Sequence, residues 1–218
     1  RIRGDILALR EKYGDRIFIG HGVEICYQPA RMDFILDFLN RHEFDMVLLS
    51  VHWFDGRALH EQDHWGEVDA VRGTELYLKT VADAARMAGT LTRNGQRVFD
   101  VLGHIDLVKR YTQRYFQSVN VAPYKDLVDD ILRAALASDL VPEVNTSTMR
   151  QGVGEPSPAE WIIRRYAELG GTMMTIGSDA HRSEHVGANM PDAVGILQRC
   201  GVTHQAVFRN RNREAIPL

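Results

Sequence analysis

The segment Ser178-Asp179-Ala180-His181 follows an apolar run at 172–176 and Gly177. In an extended chain Asp179 and His181 point to the same side, so a carboxylate and an imidazole, both metal-ligand types, share one face. Gly177 permits close backbone approach, and Ala180 keeps the position between the two ligands small. The same residues also read as a strand-to-helix turn capped by Asp179. His52 and His104 each stand just after an apolar stretch, with Asp106 two residues beyond His104 as an orienting partner or a further ligand. A single histidine so placed is commonly a hydrogen-bonded core residue; the repetition points towards ligation. Glu24 lies inside the otherwise apolar Gly22-Val23-Glu24-Ile25-Cys26, where a carboxylate is costly unless a cation or an arginine meets it. Three imidazoles and two carboxylates suit zinc or another first-row divalent ion. Two or three such ions side by side would activate a water and clamp a phosphoryl group, which is the chemistry of phosphoester hydrolysis.

These residues must be held by regular elements. Apolar runs with β-branched or aromatic residues predict strands over 16–26, 46–52, 98–104, 140–145, 172–178 and 205–208. Helical spacing predicts helices over 32–40, 74–87, 124–136, 158–169 and 193–200, and the first dozen residues also read as helical. Strands alternating with helices mean an α/β fold with a largely parallel sheet. Every candidate ligand falls at the C-terminal end of a predicted strand, where barrel active sites lie. No glycine-rich phosphate loop follows an early strand, which favours a barrel over an open doubly wound sheet.

The chain has 218 residues, of which 44% are hydrophobic, enough for one core, and a single domain over 1–218 is expected. With 26 basic and 29 acidic residues it carries a net charge of −3 and no basic stripe, so no nucleic-acid partner and no membrane partner are expected. Apolar stretches fall far short of the roughly 18 residues of a membrane span. Two cysteines without C-x-x-C spacing fit a reducing compartment, and a cytoplasmic location is expected. His42, His60, His64, His185 and His204 sit in polar segments and are expected at the surface. Cys26 is in phase with Glu24 but reads as an inert thiol. The stretch 59–67, with two His, two Glu, Asp63 and Trp65, reads as a solvated loop or as a contributor to recognition of an amine-bearing substrate.

In order along the chain, Gly22-Val23-Glu24, Ser50-Val51-His52, Gly103-His104-Ile105-Asp106, Glu143-Val144-Asn145-Thr146-Ser147 and Gly177-Ser178-Asp179-Ala180-His181 resemble the polymerase and histidinol phosphatase (PHP) family. The resemblance covers nearly the whole chain and is strongest to the branch that hydrolyses histidinol phosphate. It implies a distorted seven-stranded (β/α) TIM-like barrel and up to three divalent ions, manganese, iron or zinc. By match, Glu24 bridges two ions, His52 and His104 hold one of them, and Asp179 and His181 complete the others. Asp179, His181 and His104 are the implied catalytic residues, and Arg150 matches a position that neutralises substrate phosphate rather than serving the fold. The family's opening His-x-His and Ser-Asp-His motifs have no counterpart in these residues. The expectation is therefore a barrel lacking its first βα units, in a truncated chain that binds metal weakly and turns over slowly or not at all.

The resulting expectation is a metal-dependent phosphomonoesterase that converts histidinol phosphate to histidinol and phosphate in histidine biosynthesis. Another PHP-type phosphoesterase or an amidohydrolase-like hydrolase is the alternative; amide hydrolysis would have no need of a phosphate-clamping Arg150. A nuclease-like module attached to a polymerase would need basic or aromatic surfaces, and the charge balance opposes it.

Overall fold

The computed structural model describes residues 2–93, 95–117 and 120–218. Seven strands form the main sheet: β1 (Gly22–Cys26), β2 (Met46–Ser50), β3 (Val101–Leu102), β4 (Val141–Asn145), β5 (Met173–Gly177), β6 (His204–Arg209) and β7 (Asn212–Pro217). They lie in sequence order, parallel from β1 to β6, with β7 antiparallel to β6. The helices are α1 (Ile2–Tyr13), α2 (Met32–Arg41), α3 (Gln62–Glu67), α4 (Ala70–Thr90), α5 (Val108–Phe116), α6 (Lys125–Ala137), α7 (Glu160–Glu168) and α8 (Met190–Cys200). No helix among the described residues is long and apolar enough to cross a membrane.

The period of two along each strand sorts side chains onto two faces. Val23 and Ile25 of β1, Val47 and Leu49 of β2, Val144 of β4 and Met174 of β5 pack into the large core against the helices. On the other face Leu48, Val101, Val141, Ala206 and Phe208 form a second, smaller cluster. Those residues come from β2, β3, β4 and β6. A flat sheet would hold β2 and β6 roughly 19 Å apart at ordinary strand spacing, so their shared cluster requires the sheet to curl on itself.

The curl stops short of a closed barrel: among the described residues β1 pairs only with β2 and β7 only with β6. What ties the two ends is polar. Asp45, just before β2, accepts from the backbone N–H of Asn210 through its carboxylate and from that of Arg211 through its carbonyl, both at 2.9 Å. Asn210 and Arg211 form the β6–β7 turn, and both have positive φ. The same Asp45 carboxylate receives Arg10 of α1 at 2.5 Å and the His21 N–H at 2.7 Å.

Five predicted helices and six predicted strands recur with shifted ends. The stretch 16–21 lies outside β1, and strand 98–104 shortens to β3. The 59–67 segment is in part helical: α3 buries His64 and Trp65 against Phe54, and Trp65 Nε1 donates to the Leu59 carbonyl at 2.8 Å. The surface expectation for His64 is thus corrected, because the polar residues around it mask the inward face of a helical turn. His42 and His60 are exposed, and His185 and His204 half-buried.

Candidate metal centre

Glu24 points from the inner face of β1, and its Oε1 lies 2.8 Å from His52 Nε2 and 3.3 Å from His104 Nε2. The His52 and His104 rings meet edge to face at 4.9 Å between centroids. All three ligand atoms fall within 4.8 Å of one another. Parallel pairing produces this convergence: Glu24 is level with Leu48 of β2 and Leu48 with Val101 of β3, so the ends of three adjacent strands deliver one ligand each.

The local chain explains each position. His52 follows β2, and its backbone N–H is received by Cys26 Sγ at 3.4 Å, giving the thiol an orienting task; burial raises the Cys26 pKa. Gly103 precedes His104 because a Cβ there would come within 2.6 Å of Leu48 Cδ2. His104 adopts φ +22°, and its carbonyl receives the buried Tyr77 hydroxyl at 3.3 Å.

Burial alone would raise the Glu24 carboxyl. Hydrogen bonds from His104 and His52, with the charge of His104, outweigh it and hold the group far below the usual carboxylate range. For His104 burial works against the charged form, yet the hydrogen bond to Glu24 and the charges of Glu143, Glu24 and Asp179 push its pKa up. One carboxylate oxygen collecting two imidazole nitrogens is an arrangement in which a divalent ion can replace a proton. The donor set, two imidazoles and a carboxylate, fits zinc and its first-row neighbours.

The other predicted residues lie around this cluster rather than in it. Asp179, at φ +48°, is close enough for its charge to act on His104, and its Oδ2 lies 3.7 Å from Arg110 Nη2. His181 turns its ring outward, 82% exposed, with Nδ1 3.1 Å from the Asp179 carbonyl. Arg150 donates through Nη2 to the carbonyls of Ser178 and Asp179, and its Nη1 is buried without a partner among the described residues. Asp106 is no ligand: it is fully buried against Lys109, the Ser157 hydroxyl and the Ala159 N–H.

Two residues near the cluster received no role in the sequence reading, although Glu143 stands in one of the motifs quoted above. Arg110, on α5, donates to Ser147 Oγ at 2.8 Å beside Asp179, and its Nε is buried and unpartnered among the described residues. Nothing in a run of basic and aromatic residues singles it out. Glu143 is a buried carboxylate on the inner face of β4, and burial, joined by the charge of Glu24, raises its pKa. Its signal was present, since a carboxylate within Val141-Pro142-Glu143-Val144 obeys the argument that selected Glu24.

No family model matches the sequence. A probable histidinol-phosphatase of Clostridium acetobutylicum is 30% identical over 185 residues, covering 84% of this chain and 66% of that protein. The histidinol-phosphatase of Lactococcus lactis is 24% identical over 221 residues, covering 97% of this chain and 77% of the relative. The chain is histidinol-phosphatase-like. In fold it matches the histidinol phosphate phosphatase of Lactococcus lactis, solved with zinc, L-histidinol and phosphate, at a TM-score of 0.81 and 22% identity over 97% of this chain and 77% of that one. A structure described as a putative histidinol phosphatase, from Listeria monocytogenes, superposes at 0.72 with 21% identity, over 87% of this chain and 73% of the other. The histidinol-phosphatase-like chain thus spans about two thirds to three quarters of the length of these proteins.

Proposed function

We propose that this chain is the catalytic domain, 1–218, of a metal-dependent phosphomonoesterase acting on histidinol phosphate, with histidinol and phosphate as products. The observation that carries the reading is Glu24 Oε1 set between His52 Nε2 and His104 Nε2. The relatives add the substrate, since the Lactococcus lactis protein matched in sequence is a histidinol-phosphatase, that of Clostridium acetobutylicum a probable one, and one matched in fold was solved with zinc, L-histidinol and phosphate. The in-order parallel strands and their inward curl fit descent from the distorted barrel of the PHP family. No partner besides the small phosphorylated substrate is needed. The unpaired thiols of Cys26 and Cys200 suit the cytoplasm.

Glu24, His52 and His104 would hold a divalent ion, with Asp179 and His181 as ligands to further ions. Bound ions supply a water activated at neutral pH and charge compensation for the phosphoryl oxygens. Arg110 and Arg150 flank Asp179 and present guanidiniums, the side chains best shaped for two phosphoryl oxygens at once. His181 directs Nδ1 to the Asp179 carbonyl, which leaves the exposed Nε2 as the nitrogen that would ligate an ion.

Protein loaded with zinc or manganese should release phosphate and histidinol in equal amounts from histidinol phosphate, at the slow rate expected of a site without the family's His-x-His and Ser-Asp-His motifs. Chelation should abolish the release and re-addition of metal should restore it. No release above that of a Glu24→Gln variant, with histidinol phosphate or any other small phosphomonoester, would overturn the reading. Turnover of an amide instead would favour the amidohydrolase-like alternative.

A further inference from the structure

We infer that Glu143 is a positioning residue that aims the His104 imidazole by holding its peptide N–H, and that Gly177 lacks a side chain in order to give Glu143 room. Glu143 Oε2 accepts from the His104 backbone N–H at 3.2 Å and from Asn145 Nδ2 at 3.4 Å. The carboxylate is buried, with no guanidinium or ammonium against it in any hydrogen bond or ion pair among the described residues. A group there for packing alone would be apolar, because a buried carboxylate carries a large desolvation cost. Its position is explained by what it holds. His104 is a non-glycine residue at φ +22°, a conformation that persists only where the surroundings impose it. Buried groups grip both sides of it: Glu143 the N–H, Tyr77 the carbonyl.

Gly177 supplies the second half of the device. Its register partner is Asn145, two residues on from Glu143 along β4, so Gly177 is the diagonal neighbour of Glu143 on the same face of the adjacent strand. A Cβ at Gly177 would fall 2.3 Å from Glu143 Oε1, with no other side chain so near. Its φ lies outside the left-handed region, so backbone conformation does not demand glycine there. Glu143 does.

The inference rests on His104 being a metal ligand and is independent of the substrate. Zinc affinity, read by competition with a chromophoric chelator, tests it on the wild type and on Glu143→Asp, Gly177→Ala, the double variant and Gly66→Ala. Gly177→Ala should weaken zinc binding about tenfold or more, as loss of a group behind a ligand does. Glu143→Asp should weaken it less. The double variant should bind more tightly than Gly177→Ala alone, because the shorter carboxylate clears the new methyl. Gly66→Ala, which meets open space, should change nothing. Unchanged binding in Gly177→Ala, or simple addition in the double variant, would overturn the inference. Should Gly177→Ala fail to fold, Glu143→Leu decides, since it keeps the core filled while removing the acceptor. In metal-free Glu143→Leu the His104 amide should exchange with solvent about tenfold faster, and an unchanged rate refutes the positioning role. If these couplings hold in a protein that releases no phosphate, only the proposed activity fails.

Discussion

Arg150 and Asp179 are joined through the backbone: one guanidinium nitrogen of Arg150 reaches the Asp179 carbonyl at 3.0 Å and the neighbouring Ser178 carbonyl at 2.5 Å. Asp179 has φ +48°, so these contacts brace a turn that would otherwise relax. The sequence led us to expect Arg150 to serve the phosphate alone; the structure adds a share in the fold. Arg150→Ala should raise KM for the phosphorylated substrate, lower kcat, and also cost about 1–3 kcal/mol of stability through the lost charge-assisted hydrogen bonds. Thermal unfolding should show a drop of roughly 3–10 °C. Wild-type Tm combined with raised KM would return Arg150 to a purely phosphate-binding role.

The convergence of the three candidate ligands was legible because each breaks an apolar strand end in the same way, and parallel pairing then forces them together. Glu24, His52 and His104 needed no knowledge of loops. His181 and Asp179 were legible as residue types, but their directions depend on a left-handed residue at 179 that no strand pattern encodes. Among strands, β7 was missed because all six of its residues are exposed, so it has no apolar alternation, and its pairing is dictated by the positive-φ turn at Asn210 and Arg211. Helix α5 was hidden because Lys109, a basic residue, is buried there and Arg110 half-buried. Barrel closure is a property of the two sheet edges, and strand-end chemistry says nothing about them.

Asp129 of α6 receives Arg165 of α7 through both carboxylate oxygens at 2.8 Å. That contact, with Lys125 alongside, lowers its pKa from 3.8 to about 2. A depressed carboxylate stabilises the fold at pH above its unfolded value and loses that contribution as pH falls through the folded one. Allowing for solvent screening, the contribution at neutral pH is about 1 kcal/mol. Asp129→Asn should therefore be less stable than wild type by about that amount at pH 7. The gap should shrink between about pH 4 and pH 2, as followed by urea unfolding at fixed ionic strength. A gap that stays constant down to pH 2 would mean the pair contributes through packing rather than charge.

Lys109 is a fully buried ammonium. Its Nζ lies 2.9 Å from Asp106 Oδ2 and 3.0 Å from Glu155 Oε1, and donates to the Pro156 carbonyl at 2.6 Å. Asp106 in turn receives the Ser157 hydroxyl and the Ala159 N–H, so helix α5 and the segment 155–159 are tied at one point. Both connect to the site, because Arg110 is the next residue of α5 and Ser157 exchanges backbone hydrogen bonds with Asn145 at 2.7 and 2.9 Å. Lys109→Met fills the same space but strands the Asp106 carboxylate without a cation, a change that costs about 3–5 kcal/mol for a buried pair. Adding Asp106→Asn removes the stranded charge, and the double variant should regain part of the loss even though it has one mutation more. Urea unfolding of the two variants against wild type provides the comparison. A Lys109→Met protein within 1 kcal/mol of wild type, or a double variant less stable than the single, would show that this ion pair does not hold α5 in place.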